Sequence, residues 1–336
     1  MNRYAALALL SFVFCSAEPA DRQADFDDAP AASGSVEIRE WQVPYPESRP
    51  RDPYVGPDGK VWFVGQRSHY AAVLDPETGE FRRFDLESGS GPHNLIVDGN
   101  GIVWYAGNLV GNIGRLDPAT GEIQTFRTLV RDPHTLVFAP DGTIWFTAQQ
   151  GNRVGHFVPA TGTVRLTDVP TEDARPYGIV PDGKGRVWVA EFGTNKIGVA
   201  DTATMVYREI ELPRPEARPR RIAVTPDGMV WYVDYAGGML GRLDPETETV
   251  TEWPAPSGSG SHPYAMAADS TGRLWFVEAG PQPNLFVGFD PESETFLEPA
   301  PVPSGGGTVR HMVFDEETNA IWFGTDTNTI GRAQLP

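Results

Sequence analysis

The sequence predicts an all-β fold, specifically a seven-bladed β-propeller built from four-stranded antiparallel blades. Three observations predict it: a tryptophan that recurs along the 336-residue chain, turn sequences at fixed places in each repeat, and complementary strands at the two ends. The 36 glycines and 31 prolines also favour many tight turns over long helices.

The recurring tryptophan follows an apolar residue in all seven repeats. The spacings between successive copies are 42, 41, 43, 43, 44 and 47 residues. Four short strands repeated at this period are typical of propeller blades. We expect these side chains to pack between neighbouring blades rather than to bind a ligand. The seven are Trp62, Trp104, Trp145, Trp188, Trp231, Trp275 and Trp322.

One repeat, residues 132–168, shows the elements of a blade in order. The sequence predicts strands over 135–139, around Trp145, over 154–157 and over 163–168. Asp-Gly pairs such as Asp141-Gly142 suit two-residue hairpins, because glycine readily adopts positive φ. Asp-Pro-x-Thr-Gly runs such as 75–79 and 117–121 are explained by turn chemistry, not by calcium or phosphate binding.

The two ends of the chain predict how the ring closes. The last repeat stops after its third strand, around 330–336, and an extra strand over 35–43 precedes the first repeat. The N-terminal strand should therefore complete the last blade and remove two free sheet edges. Residues 35–336 are thus predicted to form a single seven-bladed propeller.

The N-terminal segment predicts export to the periplasm or secretion. Residues 1–17 combine a basic start, a short apolar run and small residues for cleavage, which is typical of a signal peptide. Residues 18–34 are acidic and alanine-rich, and we expect a disordered linker there. The alternative interpretation is a lipoprotein anchored through Cys15, the only cysteine of the chain.

Charge and motif content exclude several classes of function. The net charge of −18 argues against binding to the phosphate backbone of nucleic acid. After the signal segment no apolar run is long enough to span a bilayer. The chain has no nucleophilic serine elbow, Walker loop, dinucleotide fingerprint or HExxH motif. We expect a monomer that binds a small molecule or cyclic ester at the central mouth of the propeller.

The start of each first strand and the end of each second strand should meet at that mouth. A ring of carboxylates, imidazoles and guanidinium there favours a ligand site or catalytic site, although the same residues could simply fill the channel with satisfied polar contacts. The first set, at the starts of the first strands, comprises Tyr54, His93, His134, Tyr177, Arg220, Tyr264 and His311. The second set comprises Glu191, Asp234, Glu278 and Asp326.

The repeated Pro-His/Tyr starts, the Trp-Phe-x-Glu-like strand and the Asn-x-Ile-Gly-Arg strand resemble the virginiamycin B lyase (streptogramin lyase) family. Examples of the last strand are 112–115, 195–198 and 328–332. The resemblance covers about residues 35–336, and much of it is blade architecture that propellers of different function share.

The resemblance implies a magnesium-dependent elimination that opens a cyclic depsipeptide. It implies that His311 is the base that removes the proton next to the ester and that Asp326 binds the metal. Two positions depart from the family: its metal-binding glutamate is Val309 here, and its substrate-contacting histidine in blade six is Tyr264. Glu278 is a candidate for the missing metal ligand.

Three functions follow as hypotheses. The first is a lyase in which His311, titrating near neutral pH, acts as base beside a magnesium or other divalent ion at Glu278 and Asp326. The other ring residues would then orient the substrate. The second is a lactonase-like hydrolase that uses the same carboxylates to hold a metal. The third is a non-catalytic propeller that binds a ligand or a protein, with an acidic surface favouring cationic or neutral ligands.

Overall fold

The repeat tryptophans all lie in the second strand of a four-stranded antiparallel sheet. The computed structural model describes Met1 and residues 36–336. The predicted signal segment 1–17, Cys15 and the linker 18–34 therefore lie outside the described residues. Seven sheets form the blades, which confirms the predicted all-β propeller.

The strands of the first three blades follow the same pattern. Blade one contains β2 (Pro50–Val55), β3 (Val61–Gly65), β4 (Tyr70–Leu74) and β5 (Phe81–Asp85). Blade two contains β6 (Pro92–Val97), β7 (Val103–Gly107), β8 (Asn112–Leu116) and β9 (Ile123–Arg127). Blade three contains β10 (Pro133–Phe138), β11 (Ile144–Ala148), β12 (Arg153–Val158) and β13 (Thr163–Asp168), close to the predicted bounds.

The remaining blades repeat the pattern with two variations. Blade four contains β14 (Pro176–Pro181), β15 (Arg186–Glu191), β16 (Lys196–Asp201) and β17 (Tyr207–Glu211). Blade five contains β18 (Pro219–Val224), β19 (Val230–Asp234), β20 (Met239–Leu243) and β21 (Val250–Pro254). Blade six contains β22 (Pro263–Ala268), β23 (Leu274–Glu278), β24 (Leu285–Asp290) and two short pieces, β25 (Thr295–Phe296) and β26 (Ala300–Pro301). Blade seven contains β1 (Glu37–Gln42), β27 (Met312–Asp315), β28 (Ala320–Gly324) and β29 (Thr329–Gln334).

The fourth strand of blade six is split because proline interrupts it. Both β25 and β26 pair with β24, and Pro299 lies between them. Proline has no backbone N–H to donate to the sheet, so the pairing stops and restarts around it. A 3-10 turn at Gly258–Gly260 is the only helical element among the residues that the structure describes. No described helix is long and apolar enough to cross a membrane.

The ring closes through β1, as the sequence predicts. Strand β1 pairs antiparallel with β29, from Glu37 opposite Gln334 to Gln42 opposite Thr329. Trp41 then lies 5.3 Å from Trp322, ring centre to ring centre. The innermost strands contact their neighbours in the cyclic order β2, β6, β10, β14, β18, β22, β27 and back to β2. Closure therefore brings residues 51 and 311 to the same axis.

The hydrophobic core lies between adjacent blades. The repeat tryptophans are buried, and Trp104 of blade two lies 5.7 Å from Phe157 of blade three. Three tryptophans also donate their indole N–H to an aspartate six residues earlier, at 2.8–3.2 Å: Trp104 to Asp98, Trp188 to Asp182 and Trp275 to Asp269. The predicted packing role of the tryptophans is confirmed.

The Asp-Gly turns between first and second strands and the Asp-Pro-x-Thr-Gly turns between third and fourth strands lie at the face opposite the channel mouth. Gly142 of an Asp-Gly pair has φ +80°, and Gly121 of an Asp-Pro-Ala-Thr-Gly turn has φ +76°. Glycine tolerates these values without steric cost, whereas a side chain would be strained. The first strand thus starts at the mouth, and the second strand returns to it.

Closure can be tested by removing the aromatic contact that joins the two ends of the chain. Trp41→Ala should lower the free energy of unfolding by about 3–5 kcal/mol, because it deletes a buried indole. Val206→Ala is the control, since that side chain is 66% exposed. Urea denaturation measures both variants, and equal small losses for the two would contradict closure by β1.

Candidate functional site

The residue eleven positions before each repeat tryptophan lies at the channel mouth. In six blades this residue is the one predicted from the sequence, and in blade one it is Arg51. The rings of His93 and His134 are 3.6 Å apart, and those of His134 and Tyr177 are 4.2 Å apart. Tyr177 and Tyr264 share a short hydrogen bond between their hydroxyl groups. The full set is Arg51, His93, His134, Tyr177, Arg220, Tyr264 and His311.

Tyr54 does not belong to this ring, and its predicted place at the mouth is wrong. In the β2–β3 pairing Tyr54 lies opposite Trp62, just as Ile96 lies opposite Trp104 in blade two. Its side chain packs against apolar residues of blades one and two. The prediction chose the second of two prolines, Pro50 and Pro53, as the start of the strand. Counting back from Trp62 identifies Pro50 and therefore Arg51.

The next residue of each first strand supplies a second layer, which the sequence analysis missed. Arg221 donates to the Asp52 carboxylate at 3.3 Å, to the Thr135 hydroxyl at 3.2 Å and to the backbone carbonyl of Arg310 at 3.0 Å. These contacts join blades five, one, three and seven across the channel. The sequence contains a signal for this layer, because Asp52 and Arg221 each lie ten positions before a repeat tryptophan.

Asp52 receives several donors in this layer. Arg51 lies 3.4 Å from its carboxylate, and Asn94 donates to it at 3.2 Å. Burial acts to raise the pKa of Asp52, but Arg51, His311 and Arg221 together hold it well below its ordinary value. Asp52 therefore carries a negative charge inside the channel, between two guanidinium groups.

Arg220 is surrounded by aromatic rings instead of a carboxylate. Its guanidinium carbon lies 3.7 Å from the ring centre of Tyr264 and 4.3 Å from those of Phe192 and Tyr235. These distances suit cation–π contact. Gly178 makes room beside it, because an added Cβ would lie 2.9 Å from the Arg220 carbonyl oxygen.

The histidines of the mouth are neutral at pH 7. Burial, followed by the charges of neighbouring arginines, lowers the pKa of His93 and of His134 well below 6.5. Burial also lowers the pKa of His311 to about 4, although Asp52 opposes the shift. The prediction that His311 titrates near neutral pH is therefore wrong. Its Nδ1 atom has no hydrogen-bond partner in the described part of the chain.

The positive charge of the mouth also acts on a tyrosine. Burial acts to raise the pKa of Tyr177, but Arg220, Arg51 and Arg221 lower it to about 8. Its partner Tyr264 has a raised pKa, because it is buried and lies against Tyr177. The pair therefore holds a proton that the surrounding guanidinium groups make easier to lose.

The predicted acidic residues of the second strands do not line the channel. Glu191 accepts from the Tyr207 hydroxyl at 3.0 Å and the Thr194 hydroxyl at 3.1 Å. Asp234 pairs with Arg214 and accepts from the backbone N–H of Arg218 at 2.8 Å. All four contacts tie loops or outer strands to the blade.

The predicted metal ligands are likewise separate. Glu278 accepts from the backbone N–H of Ser257 at 2.9 Å, and Asp326 pairs with Arg310 and, at 3.5 Å, with Arg49. Val309 is buried in an apolar cluster of blades six and seven. Within the described ranges, no three His, Cys, Asp or Glu residues are grouped as a metal site requires. These residues therefore do not fit the magnesium ion that the resemblance implied.

A seven-bladed propeller with a polar, aromatic-rimmed mouth is the class that the fold and site define. Residues 31–282 match the virginiamycin B lyase family, and the chain belongs to that family. No curated protein sequence matches it.

Solved structures share the fold over nearly the whole propeller. A structure described as streptogramin B lyase is 25% identical, with a TM-score of 0.81, covering 90% of this chain and 98% of that one. Virginiamycin B lyase from Staphylococcus aureus is 24% identical, with a TM-score of 0.81, covering 90% and 100%. A hydrazine synthase from Kuenenia stuttgartiensis is 15% identical, with a TM-score of 0.71, covering 87% and 97%.

Glu191 offers a test of the outer carboxylates. Burial, with a smaller effect of Glu209, raises its pKa from 4.5 to about 7, so its stabilising neutral form is lost as pH rises through that value. Glu191→Gln keeps the neutral shape and should raise the Tm by about a few degrees at pH 8 but not at pH 5. The exposed Glu211→Gln is the control. A gain that is the same at both pH values would contradict the buried, protonated Glu191.

Proposed function

We propose that this chain is an exported lyase that eliminates a carboxylate from an ester or lactone, with His311 as the base. The observation that carries the proposal is the neutral imidazole of His311 at the channel wall, with Asp52 and two guanidinium groups acting on it. Export by segment 1–17, with cleavage after Ala17 or lipidation of Cys15, is part of the proposal. So is the action of a monomer on a small molecule or cyclic ester.

The step requires a base that is neutral before it reacts and stabilised after it. His311 takes the proton from the carbon adjacent to the one that bears the ester oxygen. The electron pair of that C–H bond forms a double bond between these two carbons, and the bond from the second carbon to the ester oxygen breaks. The departing oxygen leaves as a carboxylate. Asp52 favours the imidazolium that forms, because opposite charges attract strongly in a buried site.

The arginines can stabilise the negative charge that develops on the substrate. Arg51 and Arg221 both lower the pKa of His311. Both therefore lie near the imidazole and near the substrate atoms that would react with it. Fixed positive charge near a developing enolate or carboxylate lowers the barrier without rearrangement of solvent. His93, His134, Tyr177, Arg220 and Tyr264 are proposed to orient the substrate in the same mouth.

Two other functions remain distinct alternatives. A lactonase-like hydrolase would need carboxylates that hold a metal, and Glu278 and Asp326 are engaged by other partners. A binding propeller would use the mouth without turnover. The structure of an inactive virginiamycin B lyase variant from S. aureus with quinupristin provides a probe for the first test.

Substitution of the proposed base tests the lyase directly. With quinupristin and a panel of simple lactones, the wild-type protein should give an unsaturated product with new ultraviolet absorbance and no oxygen from labelled water. His311→Ala should lower kcat by about 10²–10⁴-fold, the usual contribution of a positioned base. His156→Ala, in β12 against Trp145, is the imidazole control.

Three results would count against the lyase in different ways. Labelled oxygen in the product would identify a hydrolase. Turnover that survives in His311→Ala would remove this residue as the base. Binding of the same compounds without any turnover would identify a binding propeller.

The pH profile tests the environment of His311 separately. The neutral imidazole is the active form, and its pKa is lowered to about 4, so kcat/KM should stay constant from pH 7 to pH 5. Activity should fall by half only at about pH 4, where His311 becomes protonated. Circular dichroism at each pH checks that the protein is folded. Loss of half the activity near pH 6.5 would contradict the buried base.

A further inference from the structure

The channel mouth carries more positive charge than its own carboxylate can balance. Three guanidinium groups, those of Arg51, Arg220 and Arg221, face one carboxylate, that of Asp52. Asp52 pairs with two of them, and no described carboxylate lies within salt-bridge distance of Arg220. This local excess is opposite in sign to the net charge of −18 for the whole chain.

Two of the arginines also keep donors without partners. The Arg51 side chain is 6% exposed, and its Nη2 atom has no hydrogen-bond partner among the described residues. The same is true of the Arg220 Nε atom. Buried donors of this kind are costly unless a ligand or water satisfies them. Both guanidinium groups lie close enough to Tyr177 to lower its pKa, and that of Arg220 lies 5.2 Å from the centre of the Tyr177 ring.

We propose that the mouth binds the anionic group of a ligand between Arg51 and Arg220, above the tyrosine pair. Guanidinium groups present paired donors that match carboxylate and phosphate oxygens. The lowered pKa of Tyr177 agrees with this, because the same field that stabilises a phenolate stabilises a bound anion.

The surroundings of Arg220 indicate the kind of molecule to which the anionic group is attached. Phe192 and Tyr235 are half-buried and open to solvent, and their rings flank the Arg220 guanidinium. An aromatic or apolar body attached to the anion can pack on these rings while its charge reaches the arginines. The site therefore selects an acid with an apolar body. This differs from the cationic or neutral ligand expected from the overall charge.

Benzoate and benzamide form a matched pair of probes, because they differ in charge and share a ring. Thermal shift and calorimetry at constant ionic strength should show saturable binding of benzoate and none of benzamide. Arg220→Gln should weaken benzoate binding by about tenfold or more, as expected for loss of a charge-assisted hydrogen bond. Arg220→Lys keeps the charge without the paired donors and should fall between the two.

Arg175→Gln is the charge-matched control, because Arg175 is exposed just before β14 at the same face. It should bind benzoate like the wild type. Phenyl phosphate tests whether the site prefers a phosphate or a carboxylate. Binding of either phenyl phosphate or benzoate supports the site, and the tighter ligand of the two identifies the preferred anionic group.

The proposal is overturned by equal responses to benzoate and benzamide, by the absence of saturation, or by equal losses in Arg220→Gln and Arg175→Gln. Because the readout is binding, its outcome does not depend on whether the chain is a lyase.

Discussion

The buried ion pair between Arg221 and Asp52 is the constraint on which the channel mouth depends. It joins blade five to blade one, and the remaining donors of Arg221 reach blades three and seven. Removing Asp52 would leave two buried guanidinium groups without their carboxylate, and removing Arg221 would take from Asp52 one of its two cationic partners. Both changes are unfavourable in a buried site. The pair therefore fixes the spacing of the inner strands and places the neutral histidines and the tyrosine pair around one axis.

The ion pair between Arg221 and Asp52 also distinguishes the mouth from a metal site, in which several carboxylates would surround a cation. In the described blades, the carboxylates that could have gathered around a cation are engaged by Ser257, Arg214 or Arg310. Positive charge in the channel comes from guanidinium groups, which are fixed by the fold and always protonated. The chain thus belongs to the virginiamycin B lyase family. The charges at its channel mouth are those of its own arginine and aspartate side chains.

Most of the fold could be predicted because it depends on local, repeated signals. The tryptophan period, the turn glycines and the extra N-terminal strand each have a direct structural cause. Blade one shows where this fails: two prolines offered two possible strand starts, and only the distance to Trp62 separates them. The place of Arg221 in the inner layer could be predicted from its distance to Trp231, but its partners could not, because they come from three other blades.

The acidic residues were misplaced for a related reason. Glu191, Asp234 and Glu278 end the second strands as predicted, but the direction of each side chain is decided by donors elsewhere. Ser257, Tyr207 and Arg214 are such donors, and their sequence positions carry no signal of that contact.

A double-mutant cycle on Asp52 and Arg221 tests the central constraint most directly. Asp52→Asn should lower the free energy of unfolding by about 3–5 kcal/mol, because it leaves buried guanidinium groups unpaired. Arg221→Met should lower it by less, because Arg51 still pairs with Asp52. The double variant should lose less than the sum of the two, by at least about 2 kcal/mol. Losses that simply add would show that the two charges do not support each other across the channel.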